Sequence, residues 1–118
     1  MTGTIRLKRV YAPPEGDDGI RVLVDRLWPR GLSRAEAHLD HWLKEAAPSP
    51  GLRRWFGHRP DRWEEFRRRY RDELRGSAAV QQLLELAAKA DVTLLFGAKD
   101  EAHNQAVVLA EHLHATRR

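Results

Sequence analysis

The chain has 118 residues, 42% of them hydrophobic, a formal net charge of +4 and no cysteine. That length fits one domain, residues 1–118, with enough apolar material for a core. Without cysteine there are no disulfides, no thiol nucleophile and no thiolate metal site. No apolar run approaches the roughly 18 to 20 residues that span a bilayer, and Met1–Lys8 lacks the apolar centre of a secretion signal; the expected location is cytoplasmic. Of 21 basic residues 17 are Arg, the better bidentate partner for phosphate and carboxylate. They are interspersed with 17 acids, so net charge alone does not point to nucleic acid.

Thr4–Val10 reads as a strand in which Ile5 and Leu7 alternate with Arg6 and Lys8, a pattern for an edge position. Ala12–Gly19, with two Pro, two Gly and three acids, is a loop. Ile20–Asp25 is a second strand, and Ile20, Val22, Leu23 and Val24 suit burial on both faces. It runs directly into Asp25-Arg26-Leu27-Trp28-Pro29-Arg30-Gly31, a loop dense in charge and broken by Pro29 and Gly31.

Ser33 and Glu36 form a capping-box pattern that opens a helix, and Leu39, Trp42, Leu43 and Ala46 follow at helical spacing until Pro48 and Pro50. Ser49–Phe56 has room for a short helical turn. Pro60–Arg75 is the clearest helix, with a stripe of Trp63, Phe66, Tyr70 and Leu74, closed by Gly76. Ser77 caps the next helix, which runs to about Lys89. Val92–Phe96 is a second continuous apolar strand. Asp100 reads as the N-cap of a last helix over Glu101–His114. The order implies an α/β fold: a small, mostly parallel sheet of about three strands with helices on both faces.

If the two apolar strands are parallel, the loops that follow them share one edge of the sheet, where ligands of open α/β folds bind. Those loops are Asp25–Gly31 and Gly97–Asn104. Arg26, Arg30 and Lys99 are the candidates to hold an anion, Trp28 is a candidate wall, and Asp100 and Asn104 mark a helix start whose free N–H groups favour negative charge. Asp25 and His103 are the candidates for proton transfer. The plainer roles are an Asp25 and Arg26 that pair with each other or cap neighbouring backbone, a core Trp28 and a capping Asp100.

Other chemistry finds less support. His38 and His41 stand at i, i+3 but lack an acidic third ligand at a recognised spacing, so no metal site is expected, and nothing requires a cofactor. Ser33 and Ser49 lack a glycine-flanked nucleophile context, and there is no glycine-rich phosphate loop. The alternative function is a nucleic-acid or acidic-partner adaptor that uses Arg67, Arg71 and Arg75, a row with no acid at i, i+4 and extendable by Arg53 and Arg54. No base-reading motif accompanies it.

Val-Leu-Val-Asp-Arg-Leu-Trp-Pro-Arg-Gly (22–31), Trp-Leu-Lys-Glu-Ala-Ala-Pro-Ser (42–49), Leu-Arg-Arg-Trp-Phe (52–56) and Thr-Leu-Leu-Phe-Gly-Ala-Lys-Asp (93–100), with Asn104, resemble the YeaO-like proteins of domain-of-unknown-function family 488. The likeness covers nearly the whole chain in order. It implies a small cytosolic α/β domain and no established activity. Other branches of that family carry a Cys-His-Arg segment near the last helix. This chain has His103-Asn104 there and no Cys, so thiol chemistry does not transfer.

Overall fold

The structure, a computed structural model, describes residues 3–117. Its strands are β1 (Ile5–Arg9), β2 (Ile20–Leu23), β3 (His41–Trp42) and β4 (Val92–Phe96). They form one sheet in the order β1-β4-β2-β3, with every neighbouring pair parallel. The helices are α1 (Arg34–Ala37), α2 (Pro50–Phe56), α3 (Trp63–Leu74), α4 (Ala78–Lys89) and α5 (Gln105–Arg117). None is long and apolar enough to cross a membrane.

The two apolar strands are adjacent, with Val22 opposite Leu94 and Leu23 opposite Leu95. β4 lies inside the sheet and is buried along its whole length, while β1 takes an edge, as its alternation implies. The fourth strand, β3, is two residues long, too short for any periodicity to announce it.

Side chains divide the sheet into two faces. Val22, Val92, Leu94 and Phe96 meet Phe56, Phe66, Tyr70, Leu83, Leu109 and Leu113 from the four longer helices. On the other face Leu23 and Leu95 lie under Ala37 of α1, with Trp28, Leu32, Leu39 and Trp42 packed around them. Among the described residues α1 is the one α-helix there, and an aromatic loop completes the layer.

The helix expected from Ser33 to Ala46 stops after α1. Ser33 and Glu36 do make the capping box. His38 then turns left-handed, at φ 49°. The Arg21 guanidinium donates to the carbonyls of Ala37 and His38, both at 3.0 Å, and so takes acceptors that a further turn would need. The chain runs on as β3, with Asp40 N–H donating to Arg21 O and Leu43 N–H to Leu23 O. Leu39, Trp42, Leu43 and Ala46 are therefore not one helix face. Leu39 and Trp42 cover the second face of the sheet, and Leu43 and Ala46 join the core of the first.

Two further boundaries move. The turn expected at Ser49–Phe56 is a seven-residue helix, α2, capped by Ser49, whose own N–H and hydroxyl donate to Glu73 at 2.8 and 2.6 Å. α5 begins at Gln105 instead of Glu101. The Asp100 carboxylate caps an irregular turn by accepting the Ala102 and His103 N–H groups at 2.9 and 3.0 Å. Asn104 serves the helix itself, accepting from Val107 N–H at 3.2 Å.

β2 also carries a charge that its apolar pattern concealed. Arg21, 5% exposed, points to the second face and donates to Asp18, 3% exposed, at 2.5 Å. Lys8 Nζ reaches the same carboxylate at 2.7 Å, and Thr93 Oγ1 donates to Asp18 O at 2.7 Å. This network seals the end of the sheet where β2 begins.

A candidate anion site at the carboxyl edge of the sheet

Because all four strands are parallel, their carboxyl ends open onto one edge, and a cavity of about 420 Å³ lies there. Every strand end contributes to its lining. Tyr11 follows β1, and Asp25, Arg26, Leu27, Trp28, Pro29 and Arg30 follow β2. Ala47, Pro48, Arg53, Phe56 and His58 come after β3, and Gly97, Ala98, Asn104 and Gln105 after β4. Phe66 of α3 completes the wall.

Asp25 ties the two central loops together. One carboxylate oxygen accepts the Gly97 N–H at 2.9 Å, and the other accepts the Gln105 side-chain amide. Gly97 permits this approach, since a Cβ there would stand 2.9 Å from Asp25 Oδ2. Burial pushes the Asp25 carboxyl above its ordinary pKa, against the hydrogen bonds from Gly97 and Gln105 and the nearby charge of His58. The Asp25 carbonyl accepts the Trp42 indole N–H at 2.7 Å, which fixes the start of the loop.

Arg26 turns the other way. Its guanidinium donates to the carbonyls of Pro48 and Ala47 at 3.3 and 3.4 Å, so of its two plainer roles it takes the bonding of backbone and not the pair with Asp25. Trp28 lines the cavity but is largely engaged elsewhere: its indole N–H donates to Leu32 O at 2.6 Å, Trp42 meets it edge-on at 5.2 Å, and the Arg34 guanidinium lies 4.8 Å from its ring centre. The Arg30 side chain is exposed at the mouth, while its carbonyl accepts the Tyr11 hydroxyl at 2.8 Å. That bond links the ends of β1 and β2.

Of the residues singled out from the sequence, Asp25, Arg26, Trp28, Arg30 and Asn104 line this cavity, and Lys99, Asp100 and His103 do not. Asp100 and His103 bond each other, Oδ2 to Nδ1 at 3.0 Å, and the imidazole meets Trp63 edge-on at 5.1 Å. The Ala102 N–H, with that pairing, holds the Asp100 carboxyl below its usual range. Asn104 is 1% exposed, and its amide donates to Asp100 O at 2.9 Å while its oxygen caps α5.

Tyr11, His58 and Gln105 are polar lining residues that the sequence did not mark. Arg53 belongs to this cavity instead of extending the row on α3. His58 follows Gly57, and both are left-handed, at φ 57° and 53°. A non-glycine residue in that conformation is uncommon and gathers at functional sites.

The row on α3 is not free of acids. Arg67 bonds Glu64 at 3.1 Å and Glu111 of α5 at 2.9 Å, Arg71 approaches Glu111 at 3.7 Å, and Arg75 bonds Asp72 at 3.0 Å. Those partners lie at i−3 or on another helix, where a search at i, i+4 misses them. Glu65 likewise pairs with both Arg68 and Arg69.

The fold and cavity define a class: a small, wholly parallel α/β protein with a basic cleft where its strands end. Residues 4–117 match the family model described as the inactive DUF488-N3 subclade, and the chain belongs to that family. It is 43% identical over 112 residues to the uncharacterised protein YeaO of Escherichia coli, covering 94% of this chain and 97% of that protein. It is 42% identical over 110 residues, 93% of each chain, to uncharacterised proteins of Mycobacterium tuberculosis and Mycobacterium bovis. No solved structure matches it.

Proposed function

We propose that the cavity at the carboxyl edge binds a small anionic metabolite, phosphate- or carboxylate-bearing, in the cytoplasm. One observation carries this reading. Arg26, Arg30 and Arg53 line one cavity, and none forms an ion pair among the described residues. Guanidiniums gathered without carboxylate partners repel one another, and an anion relieves that repulsion. The cavity lies where open parallel sheets bind ligands, and its volume falls in the usual range of about 300–1,000 Å³. Asp25, the one acid in the lining, already accepts from two donors. That arrangement, with the word inactive in the family description, supports binding without turnover.

Thermal melts at low salt with and without inorganic phosphate test it. Phosphate is expected to raise the Tm of the parent, and Arg26→Gln, Arg30→Gln and Arg53→Gln to shrink that rise. Lys99→Gln, outside the lining, is the control and should behave as the parent. Equal stabilisation of the parent and the three arginine variants removes the site.

A further inference from the structure

We infer that the ligand is a phosphomonoester with an apolar body, held as its dianion. The inference rests on the proposed anion site and names the class of molecule that fits it.

The charge count comes first. Arg26, Arg30 and Arg53 line the cavity with a single carboxylate, that of Asp25, a formal excess of two positive charges. Asp25 does not spend itself on them, because Gly97 and Gln105 occupy its two oxygens and Arg26 is turned to Ala47 and Pro48. A carboxylate ligand offers two oxygens and one charge, and so leaves a cation unmatched. A phosphomonoester offers three terminal oxygens and two charges, which suits forked donors supplied by the Asp25–Gly31 loop and by α2.

The walls supply the second part. Phe56, Phe66, Pro29 and Pro48 line the same space, and Leu27, 60% exposed, stands at its rim. Those four are already buried, so the apolar surface open to water is that of Leu27; an inorganic anion leaves it wet, whereas an apolar body bonded to the phosphate covers it. Trp28 need not stack on the ligand, since its ring already packs against Arg34 and Trp42.

Calorimetric titration of the intact chain with phenyl phosphate, benzoate and inorganic phosphate at pH 8 and low salt separates these elements. Phenyl phosphate is expected to bind about tenfold or more tighter than either comparator, the scale of one further charged hydrogen bond against benzoate and of apolar burial against inorganic phosphate. Benzoate binding equally well overturns the dianion while leaving the anion site standing. Inorganic phosphate binding equally well overturns the apolar body. No binding by any of the three defeats both readings. Two exposed substitutions, chosen to leave the core untouched, sharpen the result. Arg53→Gln should weaken phenyl phosphate more than benzoate. Leu27→Ser should weaken phenyl phosphate and spare inorganic phosphate. A Leu27→Ser protein that binds phenyl phosphate like the parent also overturns the apolar body.

Discussion

Asp18 and Asp25 stand two residues before and two residues after the same strand, β2, and meet opposite fates. Asp18 receives Arg21 at 2.5 Å, Lys8 at 2.7 Å and the Glu15 N–H at 3.0 Å. Burial works against its charge, but those donors outweigh it and hold the carboxyl at about 2. Asp25 receives an N–H and an amide and no ion pair among the described residues, and burial raises its pKa. Both ends of the strand hold aspartate and arginine. At one end the charges cancel in a sealed cluster with no room for a ligand. At the other the arginines and the aspartate each look elsewhere, and the positive charge stays available.

The largest effect should come from breaking the sealed cluster. Arg21→Met leaves Asp18 buried with Lys8 as its remaining cation and strips donors from Ala37 and His38. Removing one partner of a buried pair costs about 3–5 kcal/mol, to be read from urea unfolding. Arg30→Gln and Arg53→Gln, both exposed, should stay within about 0.5 kcal/mol of the parent. Comparable losses at the two ends of β2 would make the cavity arginines structural.

The two aspartates should also respond oppositely to acid. The folded pKa of Asp18, about 2, lies below its ordinary 3.8. Its contribution is therefore complete above the ordinary value and is lost as pH falls through about 2, an effect of about 2 kcal/mol. Asp25 has a raised folded pKa, so its ionised form costs stability near neutrality and that cost disappears as the group is protonated. Urea midpoints between pH 7 and pH 2 should show a steep acid limb in the parent that Asp18→Asn flattens. A limb unchanged in Asp18→Asn would show that other carboxylates govern acid unfolding.

Gly97→Ala tests the seam between the central loops. Its Cβ would crowd Asp25 Oδ2 at 2.9 Å, so the carboxylate must withdraw, at a cost of about 1–2 kcal/mol. Asp25→Ala should absorb most of that loss, giving clear non-additivity in the double variant. Additive losses would mean that Gly97 is needed for a reason other than Asp25.

Most of this architecture was legible in the residues. The apolar runs at 20–24 and 92–96 marked neighbouring parallel strands, and from those the shared edge followed. What stayed hidden has physical causes. Leu39, Trp42, Leu43 and Ala46 keep helical spacing, yet the chain places them on two sides of a sheet, and only the buried Arg21 decides the matter by claiming the carbonyls after α1. Tyr11 and His58 reach the cavity from connections with no motif of their own, and Arg53 reaches it from α2 although its spacing suggested the row on α3. Lys99 follows β4 but does not line the cavity, since proximity in sequence to a strand end does not set where a side chain points.

The smallest effect is expected on α3, where the comparison between cancelled and available charge can be tested outside β2. Arg67, Arg71 and Arg75 resemble the cavity arginines in number, but Glu64, Glu111 and Asp72 answer them. Their pairs are partly exposed, and Arg71 meets Glu111 at 3.7 Å, so replacing Arg71 with Gln should change stability by no more than about 0.5 kcal/mol. A row balanced in this way offers little to phosphates. Neither the parent nor the Arg67→Ala/Arg71→Ala/Arg75→Ala protein should bind duplex or single-stranded nucleic acid at low salt in a mobility-shift titration. Binding by the parent with a salt slope that falls by about 0.7–0.9 for each arginine removed would place a nucleic-acid surface on α3. Arginines that the fold had already paired would then be serving a ligand, and ion pairing would no longer separate the structural arginines of this protein from those of its site.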